Sequence, residues 1–148
     1  MTLEDFFPYR LAVAAETFSR NLSQVYGREY GLSREEWRFL FLLADVPNMT
    51  SRELSRRTTL DKVQISRAAK RLEDKGYISS AVLEDDRRLR RYEISTTGAE
   101  VFRELMPQVK ARTSEIISAL SSDDLAALSK GLEALQVAAA NRLKGDDT

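Results

Sequence analysis

Apolar residues recur at helical spacing along most of the chain, and the pattern changes to alternation in one place. After Pro8, the residues Leu11, Ala15, Phe18, Leu22 and Val25 form one stripe, and Gly27 and Gly31 bracket its end. Ser33 and Glu36 match the reciprocal capping pattern and open a second helix whose core face is Trp37, Leu40, Phe41 and Ala44. Pro47 and Asn48 end it. Thr50 and Glu53 repeat the capping pattern for a short third helix anchored by Leu54. After a turn over residues 57–60, Asp61 and Gln64 cap a fourth helix. It turns Ile65, Ala69 and Leu72 inward and ends at Gly76, where a left-handed residue is expected.

Residues 78–83 and 89–94 then read as two strands joined by a charged turn, with Tyr92 and Ile94 alternating against Arg91 and Glu93. Thr97 and Glu100 are expected to cap a long helix carrying Phe102, Leu105, Met106, Val109, Ile116, Ile117 and Leu120. Pro107 should kink it by removing a donor and crowding the Arg103 carbonyl. A last helix carries Leu125, Leu128, Leu132, Leu135 and Ala139, the 3-4-3-4 spacing of a helix–helix seam. The tail from residue 144 onward should fray. The predicted fold is mainly α with a small β-hairpin.

The fourth helix and the hairpin carry the chemistry. Off the apolar stripe lie Lys62, Gln64, Ser66, Arg67, Lys70 and Arg71. Gln pairs with adenine, Arg or Lys with guanine, and Ser with bases or phosphate, so this face suits a major groove. The hairpin crowds Arg87, Arg88, Arg90 and Arg91 at its tip and on its returning strand. Asp86 precedes Arg88 by two residues, close enough to orient its guanidinium, and an arginine held at a loop tip suits a narrow minor groove. Either element alone is compatible with an ordinary solvated surface. Together they describe a winged helix that reads DNA.

A net charge of zero over 148 residues argues at first against a nucleic-acid partner. Its distribution reverses that. Residues 50–98 hold twelve Lys/Arg against eight Asp/Glu, while the remainder holds eleven against fifteen. The basic excess therefore falls where a phosphate backbone would need it. There is no cysteine and no histidine, which removes thiol sensing, disulfides, the usual zinc sites and the commonest nucleophile and base. No glycine-rich phosphate loop is present, and acids such as Glu35, Glu36, Asp123 and Asp124 fall in first helical turns, where they favour the macrodipole. The sequence thus offers no catalytic residue, cofactor site or metal site, and an enzyme is not expected. Apolar runs fall short of a membrane span and no signal segment opens the chain, which predicts a cytoplasmic protein with no membrane partner.

TSRELSRRT (residues 50–58), DKVQISRAAKRLEDKGYI (61–78) and DDRRLRRYEISTTG (85–98) resemble the multiple-antibiotic-resistance regulator (MarR) family of bacterial winged-helix transcription factors. The family's wing runs Asp-x-Arg, a variable stretch, then Leu-Thr-x-x-Gly. Here it reads Asp86-Arg87-Arg88 and Ile94-Ser95-Thr96-Thr97-Gly98, with Ile for Leu and Ser for Thr. The resemblance covers nearly the whole chain. It implies a single domain over residues 1–148, with a winged helix-turn-helix at about 33–98 and dimerisation helices at about 6–30 and 97–143. The candidate DNA contacts are Ser51, Lys62, Gln64, Ser66, Arg67, Lys70, Arg71, Asp86, Arg87, Arg88 and Arg90.

The resemblance also implies a homodimer whose terminal helices interlock, and two-fold symmetry would match a pseudo-palindromic operator. It further implies a repressor released by a small effector, often an aromatic acid, bound between the dimer helices and the winged helix. Arg10 opposes the macrodipole in its helix's first turn, and beside Tyr9, Phe6 and Phe7 it is a candidate grip for a carboxylate. Trp37 is expected in the core beneath the hinge, with a ligand role as the alternative, so the candidate effector residues are Tyr9, Arg10 and Trp37. A winged-helix interaction module that no longer reads DNA is the competing class, and the basic wing argues against it.

Overall fold

The computed structural model describes residues 1–146. A single 3-10 turn at Leu3–Asp5 precedes six helices: α1 (Phe7–Arg28), α2 (Arg34–Asp45), α3 (Ser51–Arg57), α4 (Lys62–Asp74), α5 (Thr96–Ile117) and α6 (Ser122–Asp146). Three strands, β1 (Met49–Thr50), β2 (Ile78–Val82) and β3 (Arg90–Ile94), form an antiparallel sheet in the order β1-β3-β2. Met49 and Ser80 flank Tyr92, and Ile78 faces Ile94. The expected hairpin is present, one residue shorter on each strand. The short strand β1 was not legible, because two residues acquire strand geometry only by pairing with a partner some forty positions away.

The capping boxes form as the residue types dictate. Ser33 with Glu36, Thr50 with Glu53, and Asp61 with Gln64 each exchange side-chain and backbone hydrogen bonds. Each such cap is worth about 1 kcal/mol to its helix. At the far end of α4, Gly76 takes φ 77°, Tyr77 N donates to Leu72 O, and Gly76 N donates to Glu73 O. This is a Schellman ending, which requires a residue free of the left-handed penalty.

Helix α2 buries Glu36, Trp37, Phe39, Leu40 and Leu43. The expected face is observed for Trp37 and Leu40 but not for Phe41, which is 44% exposed, or Ala44, which is exposed. The reason is that α2 is apolar most of the way round, so periodicity alone does not select the innermost side. Phe39 meets Tyr92 of β3 edge-on, with centroids 5.1 Å apart. On the other side Trp37 stacks between Tyr26 of α1 (5.4 Å) and Phe102 of α5 (5.5 Å). Fully burying side chains of this size stabilises the fold by about 1.5–3 kcal/mol each.

Of α1 only Tyr26 is buried; Leu22 and Val25 pack partly on the core, whereas Leu11 and Ala15 are exposed. Arg34 grips Glu16 at two points, 2.8 and 3.1 Å, joining α2 to α1. Those hydrogen bonds, with one from Arg20, hold the Glu16 carboxyl down at about 2. Helix α5 begins two residues earlier than expected. Ser95, not Thr97, caps it: Ser95 Oγ accepts from Gly98 N (3.0 Å) and donates to Gly76 O (2.6 Å). The helix is continuous through Pro107.

Two compact units divide the chain, Met1–Arg112 and a second beginning at Thr113. The second consists of the end of α5 and of α6, none of whose described residues is buried. Helix α6 continues through Lys144 and Gly145 to Asp146, further than the expected fraying point; the last two residues of the tail lie outside the described residues. No described helix is long and apolar enough to cross a membrane.

Candidate nucleic-acid interface

Helix α4 buries Ile65, Ala68, Ala69 and Leu72, so its other side is fixed by packing rather than by choice of rotamer. Lys62, Ser66, Arg67, Lys70 and Arg71 are all exposed there. Gln64 differs: it is half-buried, and its Oε1 accepts from Asp61 N at 2.9 Å. Capping therefore occupies the amide oxygen that a two-point contact to adenine would use. The exposed row that remains is Val63, Ser66, Arg67 and Lys70, spaced i, i+3, i+4, i+7. Val63 was missed by sequence reasoning. The available signal was an apolar residue lying off the inward stripe.

In the hairpin, Leu83 N donates to Leu89 O and Leu89 N to Asp86 O, closing the turn. Asp86 Oδ1 accepts from Arg88 N (3.0 Å) and Arg88 Nε (3.3 Å), the arrangement its spacing predicts. The backbone N–H and then the guanidinium of Arg88 hold the Asp86 carboxyl below its ordinary value, so it stays an anion. The Arg88 side chain is nonetheless 89% exposed, free to meet a partner while its base is steered. Arg87 is exposed beside it. Arg90 lies along the sheet: its N–H donates to Ser51 Oγ (3.4 Å) and its Nη1 to Ser80 Oγ (3.3 Å). Ser51, the first residue of α3, and Arg90 are thus brought together, linking the wing to the helix-turn-helix.

Beneath this surface, a cleft of about 410 Å³ is lined by Trp37, Arg38, Phe41 and Leu42 of α2 and by Arg57, Thr58 and Thr59 around the α3–α4 turn. Two of the lining residues pair: Arg38 Nη1 donates to Thr59 Oγ1 at 2.8 Å. Trp37 is where the sequence placed it, buried with one edge on a cavity. Tyr9 and Arg10 are exposed on the first turn of α1 and do not line this cleft. The arginines at Trp37 are Arg38 and Arg57, which sequence reasoning did not single out because their approach depends on tertiary packing. Among the described residues no three His, Cys, Asp or Glu side chains gather as a metal set.

This arrangement has relatives. A regulator of the MarR/EmrR type from Acinetobacter sp. ADP1 superposes with a TM-score of 0.81 at 20% identity, covering 95% of this chain and 99% of its own. Sco3205 of Streptomyces coelicolor, a MarR family transcriptional regulator solved in complex with DNA, gives 0.80 at 21% identity, covering 92% and 88%. BpsR of Bordetella bronchiseptica, whose DNA binding is regulated by 6-hydroxynicotinic acid, gives 0.80 at 15% identity, covering 92% and 96%. These likenesses establish the winged-helix fold. Residues 30–89, from just after α1 to the residue before β3, match the family model described as the MarR family, so over its winged-helix part the chain is similar to that family.

Proposed function

We propose that the protein is a homodimeric, DNA-binding transcriptional regulator, a repressor released by a small aromatic carboxylic acid, and not an enzyme. The observation that carries the DNA-reading part is the outward row of α4 beside a wing arginine tethered at its base. A capped, packed helix presents Ser66, Arg67 and Lys70, and Arg88 stands free at the tip of a hairpin joined to the same sheet. This is the division of labour that a major-groove helix and a minor-groove wing require. That Sco3205 has been solved with DNA supports the reading.

Dimerisation is supported by apolar surface that the single chain leaves uncovered. Phe6, Phe7, Leu11 and Val13 are exposed at the start of α1, and Leu128, Leu132 and Val137 are exposed on α6. A soluble monomer rarely leaves this much apolar surface open. A two-fold dimer pairs with a pseudo-palindromic operator whose half-sites are about one helical turn, roughly 10 bp, apart.

The effector part rests on the cleft at Trp37. Aromatic side chains of Trp37 and Phe41, with Arg38, Arg57 and the Thr59 hydroxyl also in the lining, match a flat ring bearing a carboxylate. A ligand there touches both α2 and the turn that carries α4, so it can bias the position of the reading helix. The regulation of BpsR by an aromatic hydroxy acid points the same way.

Mobility-shift titration with the DNA flanking the coding region, repeated with a panel of aromatic acids, tests the proposal, with sedimentation velocity giving the oligomeric state. Salt-dependent binding of a dimer, weakened by one class of acid, is the expected result. A monomer, or a protein indifferent to DNA at low salt, would overturn it.

A further inference from the structure

Val63 is the second residue of α4 and 62% exposed, the one large apolar side chain left open on this helix among the described residues. It heads the outward row Val63, Ser66, Arg67, Lys70. Nothing local accounts for it. Valine is a poorer helix former than alanine because its branched Cβ loses rotamer freedom, and here it packs on no core. The first turn of α4 also has no free amide oxygen to offer a base, because Gln64 Oε1 is taken by Asp61 N. What this turn presents outward, between Lys62 and the serine and arginine of the next turn, is a pair of methyl groups.

The N-terminal turn of a reading helix is the part that approaches base edges most closely. On the floor of the major groove the one apolar group of an unmodified base is the C5-methyl of thymine. We infer that Val63 reads a thymine in each half-site by packing its methyls on that C5-methyl, while Arg67, one turn on, supplies the polar contact. This rests on the DNA-reading function proposed above. It makes Val63 a specificity-determining residue: cytosine at that position offers no methyl, and its amino group would face an apolar side chain that cannot accept its hydrogen bond.

The test starts from in vitro selection of duplex DNA by the full-length protein. Each thymine of the enriched half-site is then replaced by deoxyuridine, which removes the methyl and nothing else. Binding is measured for the parent and for Val63→Ala. At one thymine per half-site the parent should lose about fourfold in affinity on removal of the methyl, the value of one buried methyl-sized contact. Val63→Ala should bind the thymine and deoxyuridine forms equally, and 5-methylcytosine should partly restore parent binding where cytosine does not. The variant will fold, because the site is exposed and alanine favours the helix; an unchanged melting temperature checks this. Methyl dependence at no position, or methyl dependence that survives in Val63→Ala, would overturn the inference while leaving DNA reading intact. Failure to enrich any DNA would overturn both.

Discussion

Lys75 Nζ lies 2.7 Å from Glu36 Oε1 and 2.9 Å from the carbonyl of Gly31, so the C-terminus of α4 is tied to the N-terminus of α2 and the turn before it. Glu36 is 2% exposed and also accepts from Ser33 N in its capping box. One carboxylate therefore caps α2 and anchors the end of α4. Burial pushes its pKa up, but the hydrogen bonds from Lys75 and Ser33 outweigh that, and the net effect is a value below the ordinary one.

This pair predicts a pH dependence. A carboxyl whose folded pKa is depressed stabilises the fold at pH values above its unfolded pKa, and that stability is lost as pH falls through the folded value. Lys75→Met leaves a buried carboxylate without its cation, at a cost of about 3 kcal/mol, the lower end for such a break because Lys75 is partly solvated. In that variant only the Ser33 hydrogen bonds still oppose burial, so the Glu36 pKa should rise and stability should fall with rising pH where the parent's does not. Adding Glu36→Gln should restore part of the loss and flatten the dependence. Urea denaturation at pH 5 and pH 8 measures all three; parallel losses at both pH values would show that Glu36 does not carry the effect.

Gly98 predicts a steric limit. A Cβ at this position would lie 2.0 Å from Tyr77 O and 2.9 Å from Tyr77 C, where Ser95 N also pairs with the Tyr77 carbonyl. Neither backbone can yield without opening the seam between α5 and β2. Gly98→Ala should therefore destabilise by about 1–3 kcal/mol or more. Gly131→Ala, in open space on α6, should be neutral or stabilising under the same denaturation assay.

What could be seen in the sequence was whatever is decided locally. The caps at Ser33, Thr50 and Asp61 and the glycine ending at Gly76 involve residues a few positions apart, and each formed as expected. The tether of Asp86 to Arg88 is of the same kind. What failed was decided across the fold. Periodicity puts Phe41 and Ala44 in the core because α2 has more than one apolar side, and packing from other elements, such as Tyr92 of β3 against Phe39, selects the face with Phe39 and Leu43. Ser95 displaces Thr97 as the cap because Gly76 and Tyr77 hold its hydroxyl and N–H in place. At the interface, the reading face of α4 was legible by subtraction from its buried stripe. The cap between Asp61 and Gln64 was legible too; what was not drawn from it is that it takes the Gln64 amide oxygen away from the outward face, where Val63 lies open.

Arg67 predicts a base contact. It is exposed one turn into α4 and held by the burial of Ile65, Ala68 and Ala69 behind it. Arg67→Ala should cost about 1–3 kcal/mol on the selected operator and leave binding to random DNA nearly unchanged. Equal losses on both would assign Arg67 to phosphate.

At the wing, Arg88→Ala should weaken operator binding and flatten its salt dependence by about one phosphate contact. Asp86→Ala should weaken it less, since it frees Arg88 without removing it. Titrations at several salt concentrations compare the slopes, and parent-like slopes in both variants would take the wing off the DNA.

Effector release separates two sets of residues. Arg10, the sequence's candidate for gripping a carboxylate, is exposed on α1 away from the lining of the cleft, whereas Arg57 stands at the rim beside Trp37 and Phe41. A ligand releases DNA only to the extent that it binds the DNA-incompetent arrangement more tightly, and tenfold release needs about 1.4 kcal/mol of such coupling. A charge-assisted bond to a carboxylate supplies about that much, so its loss should abolish release rather than blunt it. Arg57→Gln, which keeps hydrogen bonding without the charge, should therefore lose effector affinity and release together, judged against its own DNA binding without effector. Arg10→Ala should retain both. Isothermal titration of the two variants with the effective acid distinguishes the two positions: a loss confined to Arg10→Ala would move the site to α1 and leave the cleft at Trp37 unused.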